Sequence, residues 1–541
     1  MRKIFTITFL IIATLGFSQS KSKRIKILNA KISSANEEKF PGAIILTGNV
    51  KIKHEGAILN CNSALFYKER NFFKAYGSVV INQGDTIIQT SDYVDYDANA
   101  KQSLSWGNVV LRDPVMTLTT DTLYFDRKQQ KLFYEDFATI RDQTNTLKSK
   151  KGTYLLEQKK FTATSAVTID NPENLITSHH LDYYTEFGHA YLYGPSTITG
   201  KKEGNKIYCE RGFYNTKTDI SHFVKNAKLF LKDRIIQGDS LYYDKPSGFA
   251  SATRNIKITD TVQNFVAKGN YAELFQQKDS IFIIKRAVAI SVIEKDSMYI
   301  HGDTLLVTGK QKERIIRTYH NVKIFKTDLQ GKCDSLHTDE LTGITKMFYN
   351  PVLWSEKNQI TGDSILLLTD KVTEKLDSLK VLNNSFIIQK DSIDPHHFNQ
   401  IKGRNMYGKF IKNKLRTLLV KGNGEAVNHN RNEKGVLETI TKQYCSNIEF
   451  EIKNNKIDAI KCIKQSDGKT YPPSQFPVDD KKLRGFVWRE EEQPKVMEDI
   501  FIKGKTVPKK NRINPTSLKE NSLIQKESTK NKVEDGEIIK N

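Results

Sequence analysis

The chain has 541 residues with a formal net charge of +22, 38% of them hydrophobic and 27% charged. That length suits about three or four globular domains or one long repeat array acting as a single body. No segment after the N terminus approaches the roughly 20 apolar residues of a membrane-spanning helix, and the lysine excess points to a solvated surface and anionic partners such as phosphate-bearing lipids.

Arg2 and Lys3 precede an apolar stretch, residues 4–17, with small residues Gly16 and Ser18 before Gln19. This is the layout of a secretory signal peptide, residues 1–18. No cysteine stands near the cut to accept a lipid, so the expected product is an exported, soluble chain that meets no nucleic acid. Five cysteines leave at least one unpaired. Cys445 and Cys462 flank an expected hairpin turning near Asn454, which makes them the candidate disulfide. Cys61, Cys209 and Cys333 show no zinc spacing.

The body of the chain repeats. "TDTLYFD" at Thr120 returns as "GDSLYYD" at Gly238, "GDTLLV" at Gly302 and "GDSILL" at Gly362. The central apolar residues are Leu65, Val94, Leu123, Tyr154, Leu181, Phe213, Leu241, Tyr271, Leu305, Leu341, Ile365 and Met406, about 30 residues apart at first and looser later. Alternate residues around them are again apolar, as in Leu65 with Tyr67 and Leu123 with Phe125, so each phrase is a strand. A second phrase lies between: "TGNVKI" at Thr47, "YGSVVI" at Tyr76, "WGNVVL" at Trp106, "RNIKI" at Arg254, "RAVAI" at Arg286 and "HNVKI" at His320. Turn-tolerant residues such as Gly77, Gly107 and Asn321 precede its apolar pair, which predicts a bend, bulge or corner once per unit.

Each unit has one apolar face and buries it only by stacking on its neighbours. The fold class expected is all-β: an elongated, repeat-built jelly roll of two facing, mainly antiparallel sheets with an open apolar groove. Short polar turns favour this over a parallel β-helix. With strands shared between two sheets, the array would extend very roughly 60 to 90 Å.

Residues 46–126, with their recurring Gly-Asn-Val corner and T-x-D-x-L-x-Y-D strand, resemble the OstA-like family of periplasmic lipopolysaccharide transport proteins. The likeness is clearest to about Ile258 and fades by Met406. It implies a twisted β-jelly roll whose hydrophobic groove holds lipid A acyl chains. It also implies end-to-end strand docking with transport proteins of like fold and an outer-membrane assembly partner. Val50, Leu65, Val79, Val94, Val109, Leu123, Phe125, Leu181, Leu241 and Ile256 are then the groove-lining candidates, with Tyr or Phe at the second alternate position as a rim. A closed core would show the same alternation.

Movement along a uniform apolar trough needs neither nucleophile nor metal, so no enzyme activity and no cofactor are expected. The histidines of "SHH" at Ser178 and "DPHHF" at Asp394 are neighbours that would point to opposite faces of a strand. The recurring Asp121, Asp239, Asp303 and Asp363 are expected to begin strands or close turns. The organisation expected is OstA-like repeats over residues 40–325, divergent β repeats over 326–430, a hairpin and cap or docking segment over 431–503 with Phe486 and Trp488 as packing residues, and a disordered lysine-rich tail over 504–541. A structural envelope filament and a polysaccharide-active β-helix enzyme are the competing readings.

Overall fold

A computed structural model describes residues 24–503 except the short stretches 85–86, 203, 263–264, 294–295, 311–312, 371–374, 412–413 and 454–455. The expected signal peptide, the lysine-rich tail and the turn at Asn454 lie outside the described residues.

The strand Gln102–Arg112 shows how the repeat folds. Its burial alternates on both sides of Trp106-Gly107-Asn108, where the alternation breaks. Gly107 and Asn108 both take positive φ, 76° and 50°. Trp106 pairs with Thr122 and Val109 with Thr120, so two residues oppose one. Such a bulge bends a strand. The same left-handed pair recurs on other strands at Gly48-Asn49, Gly77-Ser78, Ser165-Ala166, Lys225-Asn226, Arg254-Asn255, Lys285-Arg286, His320-Asn321, Asn383-Asn384 and Gly422-Asn423. The bulges lie in register, so the sheet folds along a line, and the corner expected from the Gly-Asn-Val phrases is present.

A left-handed conformation costs an ordinary residue about 1–2 kcal/mol. A side-chain bond recurs where that cost is met. The amide of Asn108 donates to Asp92 at 2.9 Å, Asn226 to Glu210 at 2.7 Å, Asn255 to Asp239 at 3.1 Å, Asn321 to Asp303 at 2.6 Å and Asn384 to Asp363 at 3.1 Å. Asp239 and Asp303 therefore stand in mid-strand opposite a bulge, and Asp363 just before the strand Ser364–Thr369, rather than closing turns. Asp121, in the strand Thr117–Asp126, occupies the matching place opposite Phe137 and accepts from the Thr122 hydroxyl at 3.1 Å.

The described strands, 34 in number, form one antiparallel sheet in which successive bent strands are neighbours. The two facing sheets expected from sequence are thus two arms of a single sheet. Arm A holds the residues after the bulge, such as Val109 and Leu111, and arm B those before it, such as Ser103 and Ser105. Each strand serves both arms, so the stack is longer than a division between sheets would make it: nearly thirty bent strands at about 4.8 Å give roughly 130 Å.

Residues 472–501 run back across the outside of arm A as a strap. Phe476 and Leu483 are buried against Phe386, Ile388, Val427 and Ile440, with Phe486 and Trp488 packed beside them. Gln400 and Gln359 grip the strap's backbone: Gln400 donates to Lys481 O and accepts from Leu483 N at 2.7 and 2.8 Å, while Gln359 does the same for Val487 and Arg489, each at 2.7 Å. Farther along, Lys332 holds Glu492, and Phe501 packs edge-on to His301 with Arg286 over its ring at 4.2 Å. The segment is more than a cap over the last repeat, because it reaches back to the strand Asp296–Thr308. Cys445 and Cys462 form a disulfide with Cα atoms 5.7 Å apart. They are not directly opposite, since Cys462 pairs with Ile448, and the bridge spans the last corner.

Two measurements test these devices. A Cβ at Gly107 would stand 2.7 Å from Asp92 Oδ2 in a left-handed conformation, so Gly107→Val should lower the stability measured by urea unfolding by about 1–3 kcal/mol. Bonds from Arg489 and Lys332 hold the Glu492 carboxyl down at about 2 against an ordinary 4.5. A carboxyl depressed by folding stabilises above its unfolded value and loses that contribution as protons bind. Strap attachment, followed by Trp488 fluorescence, should therefore weaken as pH falls from 4.5 toward about 2, and less so in Glu492→Gln.

Candidate functional site

The space between the arms is where nine of the ten groove candidates meet. All ten are 0–9% exposed. Val109, Leu123, Phe125, Leu181, Leu241 and Ile256 belong to one apolar cluster that continues to Phe450. Val50, Val79 and Val94 belong to a second cluster at the N-terminal end. Leu65 does not belong to the interior. On its strand Ala64 and Phe66 face the core, and side chains alternate, so Leu65 and Tyr67 point to the outer face of arm B. Phe213 and Tyr271 show the same one-residue offset, with Tyr214 and Ala272 turned inward. Leu341 sits in an exposed turn.

Between the arms the side chains of both clusters pack against one another, and a cavity of about 90 Å³ lies beside Ile401, Ala426 and Phe450 near the C-terminal end. A cavity of about 40 Å³ beside Ile52, Phe73, Val94 and Phe125, and one of about 20 Å³ beside Leu241, hold a few waters at most. The two clusters are also parted by a polar layer in which Gln89 donates to the Ser105 hydroxyl at 2.5 Å, with Ser91 and Ser103 buried nearby.

What closes the mouth of the fold is a seam of side-chain bonds between arms. Asp113 and Asp142 each end a strand of arm A and accept two backbone N–H groups of their own turn on Oδ1. This Asx turn leaves Oδ2 free for the opposite arm. Tyr154 donates to Asp113 at 3.0 Å and Tyr183 to Asp142 at 2.6 Å, in each case across 41 positions. In the next unit Asn171 makes the turn, Asn174 donates to the Tyr214 hydroxyl at 2.6 Å, and Tyr214 donates to Asp219. Nearer the N terminus Arg127 of arm B donates to the carbonyls of His54 and Glu55 and to Tyr96. Farther on, Arg314 pairs with Asp260, both buried. Burial, and then the adjacent carboxylate, pushes the Tyr183 and Tyr214 phenols far up, so these hydroxyls remain donors.

Tyr96 and Tyr183, at the second alternate position, stand at this seam with Tyr154 and Tyr214 beside them, whereas Tyr67 does not. The acceptors were not foreseen. Their signal is the Asp or Asn at 113, 142 and 171, placed at the ends of arm A strands and easily taken for ordinary turn residues. Among the described residues no cluster of three or more His, Cys, Asp or Glu is arranged to hold a metal ion. Removing one seam donor with Tyr183→Phe leaves Asp142 Oδ2 with the Asn145 amide of its own turn and nothing from the opposite arm. It should cost about 1–2 kcal/mol and speed amide exchange at residues 142–146, read by hydrogen-exchange mass spectrometry.

Comparison with known proteins bears on residues 22–179, which match the sequence profile of OstA-like proteins. No curated protein matches the chain. Among solved structures, a local likeness is found to LptH, the LptA-homologous periplasmic component of the lipopolysaccharide transport device of Pseudomonas aeruginosa. Identity is 12% and the TM-score 0.21, over 27% of this chain and 95% of LptH. The likeness to OstA-like proteins is thus carried by the N-terminal segment, residues 22–179.

Proposed function

We propose that the chain is a non-enzymatic periplasmic carrier of lipopolysaccharide, sheltering lipid A acyl chains between its arms on the way to the outer membrane. The observation that supports this is the unequal closure of the interior. Backbone ladders bound it at both arms and at the corner, whereas side chains alone close the mouth from His54 to Arg314. Entry of lipid parts that seam.

The magnitudes permit it. Burying a chain of about twelve methylenes is worth roughly 10 kcal/mol at about 0.8 kcal/mol each, and a net hydrogen bond about 1 kcal/mol. One acyl chain therefore offsets several seam bonds. The match of residues 22–179 to OstA-like proteins supports the same reading.

The ends of the array support docking with transport proteins of like fold and with an outer-membrane assembly partner. Among the described residues the strands Lys26–Asn29 and Ile32–Ala35 pair only with Ile44–His54, leaving one edge without a described neighbour and Ile27, Leu28 and Ile32 exposed. At the other end Lys456–Ile463 and Asp467–Tyr471 pair, among the described residues, only with Leu437–Lys453. An edge of this kind invites β-augmentation.

The packed interior favours a second reading, a rigid envelope spacer without cargo. Photo-crosslinking residues placed at Leu123 and Leu241 in living cells separate the two. Adducts to lipid A are expected of the carrier, and their absence at both sites in folded protein leaves the spacer.

A further inference from the structure

The strap crosses one face of the sheet, and that face does not end where the strap does. Cross-strand pairing carries a single row of outward side chains from Lys332 through Lys323, His301, Val288, Lys268, Lys257 and Gln237 to Lys228. The strap lies on the first part of it. Glu492 holds Lys332, the carbonyl of Asp499 accepts from Lys323 at 3.0 Å, and Phe501 lies on His301. Elsewhere on the same face its carboxylates Asp480 and Glu490 hold Lys442 and Lys390.

Beyond Phe501 the row is bare. Lys257 stands directly opposite Lys268, and like charges in that position destabilise a sheet. Lys228, Lys257 and Lys268 have no acidic partner among the described residues, and Gln237 makes no hydrogen bond of the kind by which Gln359 holds the strap. Farther along the face Lys51, Lys53 and Arg112 continue the positive sign. The carboxylates that strand alternation places on this face before Lys268 are engaged elsewhere: Asp170 with Lys201, and along the corner Asp92 with Asn108, Glu210 with Lys225 and Asn226, and Asp239 with Asn255. The outer face of arm B differs, since its lysines Lys74 and Lys160 pair with Asp95 and Asp182.

We infer that the uncovered part of arm A's outer face is a docking surface for an extended acidic polypeptide segment of a partner protein, laid across the strands in continuation of the strap. The chain's own tail is excluded as occupant by sign: residues 504–541 carry nine Lys or Arg against five Asp or Glu. An extended segment is favoured over a flat anionic surface because the strap shows how this face is occupied: carboxylates on lysines, backbone on glutamines. The inference stands whether or not lipid enters the interior.

The probe is a fluorescein-labelled peptide of residues 490–501, EEEQPKVMEDIF, titrated into the full chain and followed by anisotropy. Binding is expected, weakened at least tenfold by Lys228→Gln, Lys257→Gln and Lys268→Gln together. The control, Lys131→Gln, Lys151→Gln and Arg211→Gln on arm B, removes the same charge and should change binding less than twofold. The first triple variant should melt no lower than the wild type, because it removes the repulsion between Lys257 and Lys268. Lys268→Glu alone, which supplies Lys257 with a partner, is the second variant. Absence of peptide binding, equal loss in both triple variants, or arm A substitutions that abolish capture by phosphatidylglycerol vesicles while sparing the peptide would each overturn the inference.

Discussion

Two consecutive residues in the left-handed conformation, repeated in register, are the constraint on which the rest of the molecule depends. A flat antiparallel meander of this length would leave one apolar face in water and two long edges exposed. Forcing an extra residue into every second strand bends each strand at the same height, so the sheet closes on its own apolar side. The backbone cost falls on Gly and Asn, which tolerate it, and on pairs such as Arg254-Asn255, where Asn255 reaches Asp239. The corner is therefore a local device with a global result, and the interior, the seam and the outer faces all follow from where it is placed.

The two outer faces then take on separate identities although one set of strands builds both. Arm A carries cations in rows and accepts an acidic strap, while arm B carries aromatic pairs such as Tyr93 stacked on Trp106 and Tyr124 on Phe133, with Lys74 and Lys160 paired to Asp95 and Asp182. Period-two alternation interrupted by a two-residue bulge produces this division, because residues beyond the corner belong to a different arm and meet different neighbours. A single strand thus encodes four environments: core and surface, each on two arms.

How much of this was legible in the sequence differs by residue. The corner was readable because left-handed backbone selects Gly and Asn, and those letters recur before Val50, Val79, Val109 and Val322. The core was readable in parity wherever a strand carried alternating large apolar residues, as at Leu123 and Phe125. It failed at Leu65 because "ALFY" offers apolar residues in both registers, and only pairing with the neighbouring strands decides that Ala64 and Phe66 turn inward. The seam was half legible: the tyrosines stood out, but Asp113 and Asp142 look like turn formers until the opposite arm is in place. The closure of the mouth depends on how far the arms splay, which no local pattern records. The strap was legible as a packing segment through Phe486 and Trp488, but its path was not, since Gln359 and Gln400 look like ordinary surface residues until a backbone lies across them.

The two termini of the array are not equally fastened. Near the last strands a covalent bridge joins Cys445 to Cys462, and the strap ties the bent strands from Leu437–Lys453 back to Asp296–Thr308 across their outer side. The first described strands have strand pairing, the burial of Ile25 and side-chain bonds at Asn71 and Asn29 to hold them, and the polar layer at Gln89 and Ser105 divides their small core from the main one. Under tension along the stack, unzipping would begin at Lys26 and halt before the bridge. Such an array keeps its C-terminal fastening intact while the strands at its other described end part and reseal.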